Sequence, residues 1–231
     1  MSVCAIQPNP FTLPDVLHQW ANENDLNLLT VHPQSKSYPS LSSLDLIYIM
    51  GGPMGVKEQE AYPWITKEKD FISSAIEQSV PLYGSCLGAQ LIAHVLGGAV
   101  EKASHREVGW FPISWLDHAK NNPIFDGLDL PEVVFHYHND TFECPDQAKR
   151  LASSHGCLNQ VIANDQNCLA VQFHLEFGIH EIQRLLENEY SARDLSSGQY
   201  VQSQSEILAK EQLAQKNTEF LKGVLTNLIH L

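Results

Sequence analysis

Short apolar segments that alternate with amphipathic helical patterns predict an α/β fold, with an open, doubly wound and mostly parallel sheet flanked by helices. The first four apolar segments are Val3–Ile6, Leu28–Val31, Leu46–Met50 and Val80–Tyr83. Two patterns with the period of an α-helix lie between them, Leu13–Ala21 and Trp64–Ile76. In such a sheet, the loops that follow the carboxyl ends of the strands usually form the binding or catalytic site.

From about Val100 the pattern changes to strands with few helices, so we expect a mixed sheet. The predicted strands are Trp110–Trp115, Val133–Tyr137, Leu151–Ser153, Val161–Ala163 and Leu169–Phe173. Asn164–Asn167 has the composition of a hairpin turn between the last two strands.

The last part of the chain predicts a helical tail. A helix at Ile179–Leu186 is followed by the polar stretch Glu189–Gln202, which we interpret as a loop. Ser205–Ile229 has the apolar pattern of one long amphipathic helix or two, packed on the sheet. We therefore expect a single domain over residues 1–231, with a core at about 1–189 and a loop and helical tail at 190–231.

The composition is that of an ordinary globular domain and excludes several kinds of partner. Of 231 residues, 43% are hydrophobic and 18% charged, enough for one well-buried core. The net charge of −13 argues against binding to nucleic acid or to an anionic membrane. We expect no signal peptide, because no basic segment followed by a long apolar region begins the sequence, and no apolar run is long enough to span a bilayer. A widely spaced, odd set of cysteines suits a reducing cytoplasm: Cys4, Cys86, Cys144, Cys157 and Cys168.

The segment 81–90, Pro-Leu-Tyr-Gly-Ser-Cys-Leu-Gly-Ala-Gln, has the pattern of a strand, a sharp turn and a helix. Cys86 occupies the apex, where an α/β hydrolase would have its nucleophilic serine. Gly84 and Gly88 flank the apex because a strained turn leaves no room for side chains. The sulfur would then lie at a helix N-terminus, which stabilises negative charge. Taken alone, a cysteine between glycines is more often a small core residue than a nucleophile.

His174 and Glu176 are of the types that could supply the base and the orienting acid that a thiolate nucleophile needs. His174 ends an apolar strand, and Glu176 can reach the far nitrogen of its ring from the same side. A His-x-Glu at a strand end is more often a surface pair. The occurrence of elbow, base and orienting acid in one chain nevertheless predicts a Cys-His-Glu triad.

At these residues the sequence resembles the class I glutamine amidotransferases, in particular the glutaminase module of GMP synthase and its stand-alone relatives. The resemblance extends over roughly Leu46 to Gly178. The landmarks outside the triad are Gly51–Gly55 after an apolar strand, Tyr62–Trp64 before a helix, Glu107–Trp110, and His136–Phe142.

The resemblance implies the fold of that family, which is flavodoxin-like, and assigns a role to each residue. Cys86 would attack the glutamine side-chain amide and form a thioester. His174 would protonate the leaving ammonia, and Glu176 would orient the imidazole. The N–H groups of Gly52 and Leu87 would form the oxyanion hole. The glutamine pocket would include Gln90, His138 and Asp140.

Three residues depart from the usual pattern of the family. Leu175 replaces the proline between histidine and glutamate, where proline would contribute rigidity. Asn139 replaces a glycine in a turn, and asparagine tolerates positive φ. Ser85 occupies a position that is commonly apolar.

Two other interpretations of the motifs are weaker. The pattern His136-x-His138-x-Asp140 mimics a metal site, but Thr141 follows where a binuclear hydrolase would have histidine. We therefore expect no metal. The loop Gly51–Gly55 lacks the lysine and hydroxyl of a phosphate loop, so no nucleotide or other cofactor is implied.

The sequence thus predicts an enzyme that hydrolyses the side-chain amide of glutamine and passes ammonia to an unidentified acceptor or to a separate synthetase. One alternative is a free-standing hydrolase of γ-glutamyl amides or peptides. A second is an inactive regulatory or binding relative, against which the retained triad argues.

Overall fold

A computed structural model describes residues 1–8, 14–35, 37–164, 167–189 and 198–231. Its strands are β1 (Ser2–Ile6), β2 (Asn27–Val31), β3 (Leu46–Ile49), β4 (Leu82–Ser85), β5 (Val100–Pro112), β6 (Ser114–Trp115), β7 (Val133–Phe142), β8 (Ala148–Ser153), β9 (Val161–Asn164) and β10 (Cys168–Val171). Its α-helices are α1 (Asp15–Glu23), α2 (Trp64–Glu77), α3 (Leu87–Val95), α4 (Ile179–Glu189), α5 (Gln204–Leu208) and α6 (Glu211–Ile229). Within these described ranges, no helix combines the length and the apolar character that crossing a bilayer requires.

Eight strands form one mixed sheet in the order β2-β1-β3-β4-β10-β9-β8-β6. The pairs from β2 to β10 are parallel, and those from β10 to β6 are antiparallel. The predicted mixed, mostly parallel sheet flanked by helices is therefore confirmed.

The hydrophobic core lies on both faces of this sheet. On one face, side chains of α1 and α6 such as Trp20 and Leu221 pack against the strands. On the other, α2 and α3 contribute Ile65, Ile72 and Leu91. Burying each such aliphatic side chain contributes about 1.5–3 kcal/mol, so both helical layers hold the sheet rigidly.

The helical tail packs on the sheet, as predicted, and consists of two helices. α5 begins with a capping box in which Ser203 and Glu206 satisfy each other's backbone N–H groups. In α6, the residues Leu221, Val224, Leu225 and Leu228 are fully buried. Their spacing places them on one face of the helix.

The prediction of a strand at Trp110–Trp115 was wrong in its bounds. β5 begins at Val100 and pairs with β7 in a separate two-stranded sheet, and the short β6 joins the main sheet after Ile113. Residues 101–106 are mostly polar and exposed, and they hide the first half of β5 because they lack the alternation of apolar and polar residues that indicates a strand.

The predicted loop Glu189–Gln202 was also wrong at its ends. Glu189 belongs to α4, and Gln202 pairs with β5, its N–H donating to the Val108 carbonyl at 2.9 Å. The Gln202 side-chain amide bonds both backbone groups of Trp110, at 2.8 and 2.9 Å. Gly109, at φ 124°, permits this approach because a Cβ there would lie 2.9 Å from the Gln202 Cβ. Leu13 of the first predicted helix, 165–166 of the predicted hairpin turn and 190–197 lie outside the described residues.

A buried acid on α2 makes stability depend on pH. Glu68 is fully buried, and neither carboxyl oxygen has a hydrogen-bond partner among the described residues. Burial raises the pKa of Glu68 from 4.5 to about 8. The folded protein therefore holds a proton that the unfolded chain releases between these two values, and the free energy of unfolding falls as pH rises through that window.

We expect Glu68→Gln to remove this dependence. At pH 7 the raised pKa of Glu68 lowers the free energy of unfolding of the wild type by roughly 3 kcal/mol, and this effect is absent below pH 4. Urea unfolding at pH 5 and pH 8 should show a smaller loss of stability in Glu68→Gln than in wild type. Glu77→Gln, at an exposed position of the same helix, is the matched control and should behave as wild type. Equal pH slopes in all three proteins would contradict the assignment.

Candidate active site

Cys86 lies in a sharp turn between β4 and α3, as the sequence predicts. Its backbone has φ 50° and ψ −108°, a conformation that costs a non-glycine residue on the order of 1–3 kcal/mol. The turn is tied down at both ends: the Cys86 N–H donates to the Val171 carbonyl at 2.9 Å, and the Gln90 N–H donates to the Cys86 carbonyl at 3.0 Å. The surroundings therefore hold the thiol at a helix N-terminus.

The two flanking glycines are required by packing. A Cβ on Gly84 would lie 2.7 Å from the backbone carbon of Gly88. A Cβ on Gly88 would lie 2.7 Å from the backbone carbon of Ile49 in β3. Side chains at either position would push α3 away from the sheet.

His174 follows β10 and faces Cys86 across the loop after β3. Its backbone N–H donates to the Phe135 carbonyl at 2.8 Å, and its ring stacks on Phe177 with centroids 4.8 Å apart. A Cβ added to Gly51 would lie 3.1 Å from His174 Cε1 and 3.2 Å from Cys86 Cβ. The imidazole and the thiol thus flank the same small space, which only a glycine leaves open.

Glu176 lies behind His174 and is fully buried. His174 Nδ1 donates to Glu176 Oε1 at 2.7 Å. Burial lowers the pKa of the His174 imidazole, but the charges of Glu176 and Cys86 raise it further, so the net shift is upward. His174 Nε2 makes no hydrogen bond among the described residues and is the ring nitrogen left for a substrate. A buried imidazolium is suited to give a proton to a leaving group.

Two further donors to Glu176 were not predicted as site features. The Ser85 hydroxyl donates to Oε1 at 3.0 Å, and the Leu175 N–H donates to Oε2 at 3.0 Å. The polar residue at position 85 is the sequence signal for the first, since buried hydroxyls need partners. The second follows from Leu175 in place of proline, because proline has no N–H.

Gly52 and Leu87, the predicted oxyanion-hole residues, lie side by side. A Cβ on Gly52 would be 3.2 Å from Leu87 Cδ2. Leu87 is the first residue of α3, where backbone N–H groups have no carbonyl partner within the helix.

The three residues assigned to the glutamine pocket occupy different settings. Gln90 is buried on α3, and its Nε2 donates to Gln172 Oε1 at 3.2 Å. His138 is buried on β7, next to Tyr137, whose carbonyl lies 3.8 Å from Cys86 Sγ. Asp140 accepts from exposed Lys102 at 2.6 Å.

The turn expected at Asn139 is absent. Asn139 lies within β7 and has no positive φ. The backbone stays extended there because β7 continues to pair with β5, with Lys102 opposite Asp140.

The ligand-like cluster consists of Glu107, His136 and His138, so Asp140 was the wrong third member. Their potential ligand atoms lie within 4.8 Å of one another, and all three residues are buried. Burial lowers the pKa of His136 to about 4, which leaves its ring neutral. These residue types could hold a metal ion.

Protein donors already satisfy Glu107. Ser154 donates to Oε1 and Gln160 to Oε2, both at 2.7 Å, and His138 Nε2 lies 3.0 Å from Oε2. Burial raises the pKa of Glu107, but His138 and the hydrogen bond from Ser154 outweigh it and lower the value to about 2. Glu107 thus belongs to a hydrogen-bond network with Ser154 and Gln160. The expectation that no metal is needed stays a prediction.

The doubly wound sheet and this arrangement of thiol, imidazole and carboxylate are those of α/β proteins with a Cys-His-Glu constellation. Comparison with known families then identifies the chain: it belongs to the family described as "Glutamine amidotransferase class-I", which matches residues 16–192.

Individual relatives agree with this family. The glutamine amidotransferase-like protein YfeJ of Salmonella typhimurium is 29% identical over 189 residues, covering 79% of each chain. One component of the glutamine-hydrolyzing GMP synthase of Saccharolobus solfataricus is 36% identical over 150 residues, covering 64% of this chain and 76% of the relative. A crystal structure of a glutamine amidotransferase from Thermotoga maritima superposes with a TM-score of 0.88 at 25% identity, covering 100% of this chain and 98% of the other.

Proposed function

We propose that this protein hydrolyses the side-chain amide of glutamine to glutamate and ammonia through a thioester on Cys86. The observation that carries the proposal is the placement of Cys86 and His174 on either side of Gly51, with Glu176 2.7 Å behind the imidazole. Amide hydrolysis needs a strong nucleophile and a proton donor for the leaving amine, and these residues are of the required types.

The reaction would proceed in two steps. In the first, the Cys86 thiolate attacks Cδ, a C–S bond forms, and the C–N bond breaks as the His174 imidazolium gives its proton to departing ammonia. In the second, His174 takes a proton from water, which attacks the thioester and releases glutamate and the thiolate. The N–H groups of Gly52 and Leu87 would stabilise the oxyanion in both steps.

The raised pKa values of the other four cysteines leave Cys86 as the best candidate nucleophile. Burial raises the pKa of Cys4 and Cys168 to about 12 and raises that of Cys144 and Cys157 as well. These four groups stay thiols at neutral pH and are poor nucleophiles. All five cysteines are free, which is compatible with a reducing cytoplasm.

The glutamine pocket is proposed to include Gln90, His138 and Asp140, and the ammonia acceptor is unidentified. The relative from Saccharolobus solfataricus, named as one component of a GMP synthase, supports a separate synthetase as partner. The alternative is a free-standing hydrolase of γ-glutamyl peptides or amides. Both use the same thioester chemistry, so the substrate distinguishes them.

We expect the pure protein to turn over glutamine or a γ-glutamyl compound without a partner. Ammonia release from glutamine and cleavage of γ-glutamyl peptides should be compared for the protein alone and with a cellular fraction. Rates should persist in the presence of a chelator, since no step uses a metal.

Two outcomes would change the proposal. If the pure protein acts on neither substrate but a cellular fraction restores glutamine hydrolysis, the stand-alone interpretation fails and a partnered amidotransferase remains. If no fraction restores activity and no glutamine-derived affinity label reacts with Cys86, the inactive relative is correct.

A further inference from the structure

The Glu176 carboxylate is held on both oxygens by protein donors. Oε1 accepts from His174 Nδ1 at 2.7 Å and from the Ser85 hydroxyl at 3.0 Å. Oε2 accepts from the Leu175 N–H at 3.0 Å. Donors on both oxygens fix the plane of the carboxylate as well as its position.

The Glu176 carboxylate is fully buried near two aromatic rings. Tyr48 of β3 and Tyr83 of β4, the strand that Ser85 ends, stack with ring centroids 4.7 Å apart and are both fully buried. Burial and the nearby charge of Glu176 raise the pKa of both phenols well above the usual value. A carboxylate in such a setting costs several kcal/mol unless donors satisfy it.

Ser85 is a side-chain donor to Glu176 in addition to His174. It is the last residue of β4, lies opposite Val171 of β10 in the sheet, and is fully buried. It also directly precedes Cys86, so one rigid strand end positions both the thiol and the hydroxyl that holds the acid. Because Ser85 and His174 share Oε1, the hydroxyl directs that oxygen toward the imidazole.

We propose that Ser85 is a positioning residue of the amide-hydrolysing site, acting through Glu176 to hold the His174 imidazole. This inference rests on the function proposed above. Ser85 is fully buried and its hydroxyl bonds Glu176, so we expect its loss to lower kcat and to leave KM nearly unchanged. A hydrogen bond to a charged group contributes about 1.5–3 kcal/mol, which corresponds to roughly a ten- to hundredfold effect.

The kinetic test is a double-mutant cycle. Ser85→Ala should lower kcat about tenfold or more with KM within about twofold of wild type, and Ser85→Thr, which keeps the hydroxyl, should restore most of kcat. In a Glu176→Gln background, Ser85→Ala should have little further effect, because its action passes through Glu176. Ser85→Cys, close in volume but a weak donor, replaces Ser85→Ala if the latter does not fold.

Thr226→Val is the matched control. The Thr226 hydroxyl is also hydrogen-bonded, accepting from Trp20 Nε1 at 2.9 Å, but it lies on α6. This variant should keep the wild-type kcat. The proposal is overturned if Ser85→Ala keeps the wild-type kcat and melting temperature. It is also overturned if the double variant loses as much kcat as the product of the two single losses, because the two residues would then act independently.

A spectroscopic measurement tests Ser85 without turnover. The proton between His174 Nδ1 and Glu176 Oε1 should give a low-field, slowly exchanging signal in proton NMR, which Ser85→Ala should broaden or shift and Ser85→Thr should restore. An unchanged signal in Ser85→Ala refutes the positioning role. If wild type turns over neither substrate, alone or with a cellular fraction, the proposed function fails, and this signal still decides the role of Ser85.

Discussion

Replacing Cys86 with alanine is expected to lower the turnover of glutamine or a γ-glutamyl substrate by on the order of a thousandfold or more. The variant lacks the atom that forms the thioester, so only uncatalysed attack by water within the binding site remains. Alanine fits the elbow as well as cysteine does, so the melting temperature should stay close to that of wild type. Single-turnover and steady-state assays of ammonia release measure the effect.

A glutamine-derived affinity label provides the direct check. It should modify Cys86 first, and mass spectrometry of the digested protein identifies the site. Cys144→Ala is the matched control, since Cys144 is also partly exposed but lies between β7 and β8, with its Sγ 3.4 Å from the Ala148 carbonyl. Modification of another cysteine with Cys86 untouched would refute the assignment.

The main sheet could be predicted because its signals are local. Buried parallel strands such as β1, β3 and β4 are continuous apolar runs, and the helices between them keep the period of 3.6 residues. The ribbon of β5 and β7 could not be recognised as a separate sheet. Its register depends on pairing between residues that are 21 (Pro112 and Val133) to 42 (Val100 and Phe142) positions apart, which no local pattern reports.

The candidate site could be predicted in outline for a similar reason. Cys86 and its glycines form one local turn, and His174 and Glu176 are two residues apart, so their geometry follows from short segments. The roles of Ser85 and Glu107 could not be predicted because they arise from contacts between distant elements. Ser85 reaches Glu176 across 91 positions, and Glu107 reaches Gln160 across 53.

The ligand-like pattern of His136, His138 and Asp140 shows how little the spacing of residues along one strand says about their neighbours in the fold. Alternate residues of a strand share a face, and this predicts that His136, His138 and Asp140 point the same way. The structure instead pairs Asp140 with Lys102 and supplies Glu107 from the neighbouring strand. A register shift between Lys102 and Glu107 in β5 accompanies this change.

His174→Ala and Glu176→Gln should differ in severity and in pH dependence. Removing His174 abolishes the proton donor of the first step and the base of the second, so the loss should approach that of Cys86→Ala. Glu176→Gln leaves an imidazole that is less well oriented and no longer faces a negative charge. It should retain at least about tenfold more activity than His174→Ala.

The pH profile separates these roles. The Glu176 charge raises the pKa of His174, and the imidazolium is the acid that protonates ammonia. In wild type the alkaline limb of kcat/KM should therefore lie well above 6.5, the usual pKa of histidine. In Glu176→Gln the carboxylate charge that stabilises the imidazolium is gone, whereas burial still disfavours it. The pKa of His174 therefore falls, and the alkaline limb of kcat/KM moves to lower pH. His180→Ala, an exposed histidine on α4, should leave both rate and limb unchanged. An alkaline limb that stays in place in Glu176→Gln would mean that Glu176 does not act on the imidazole.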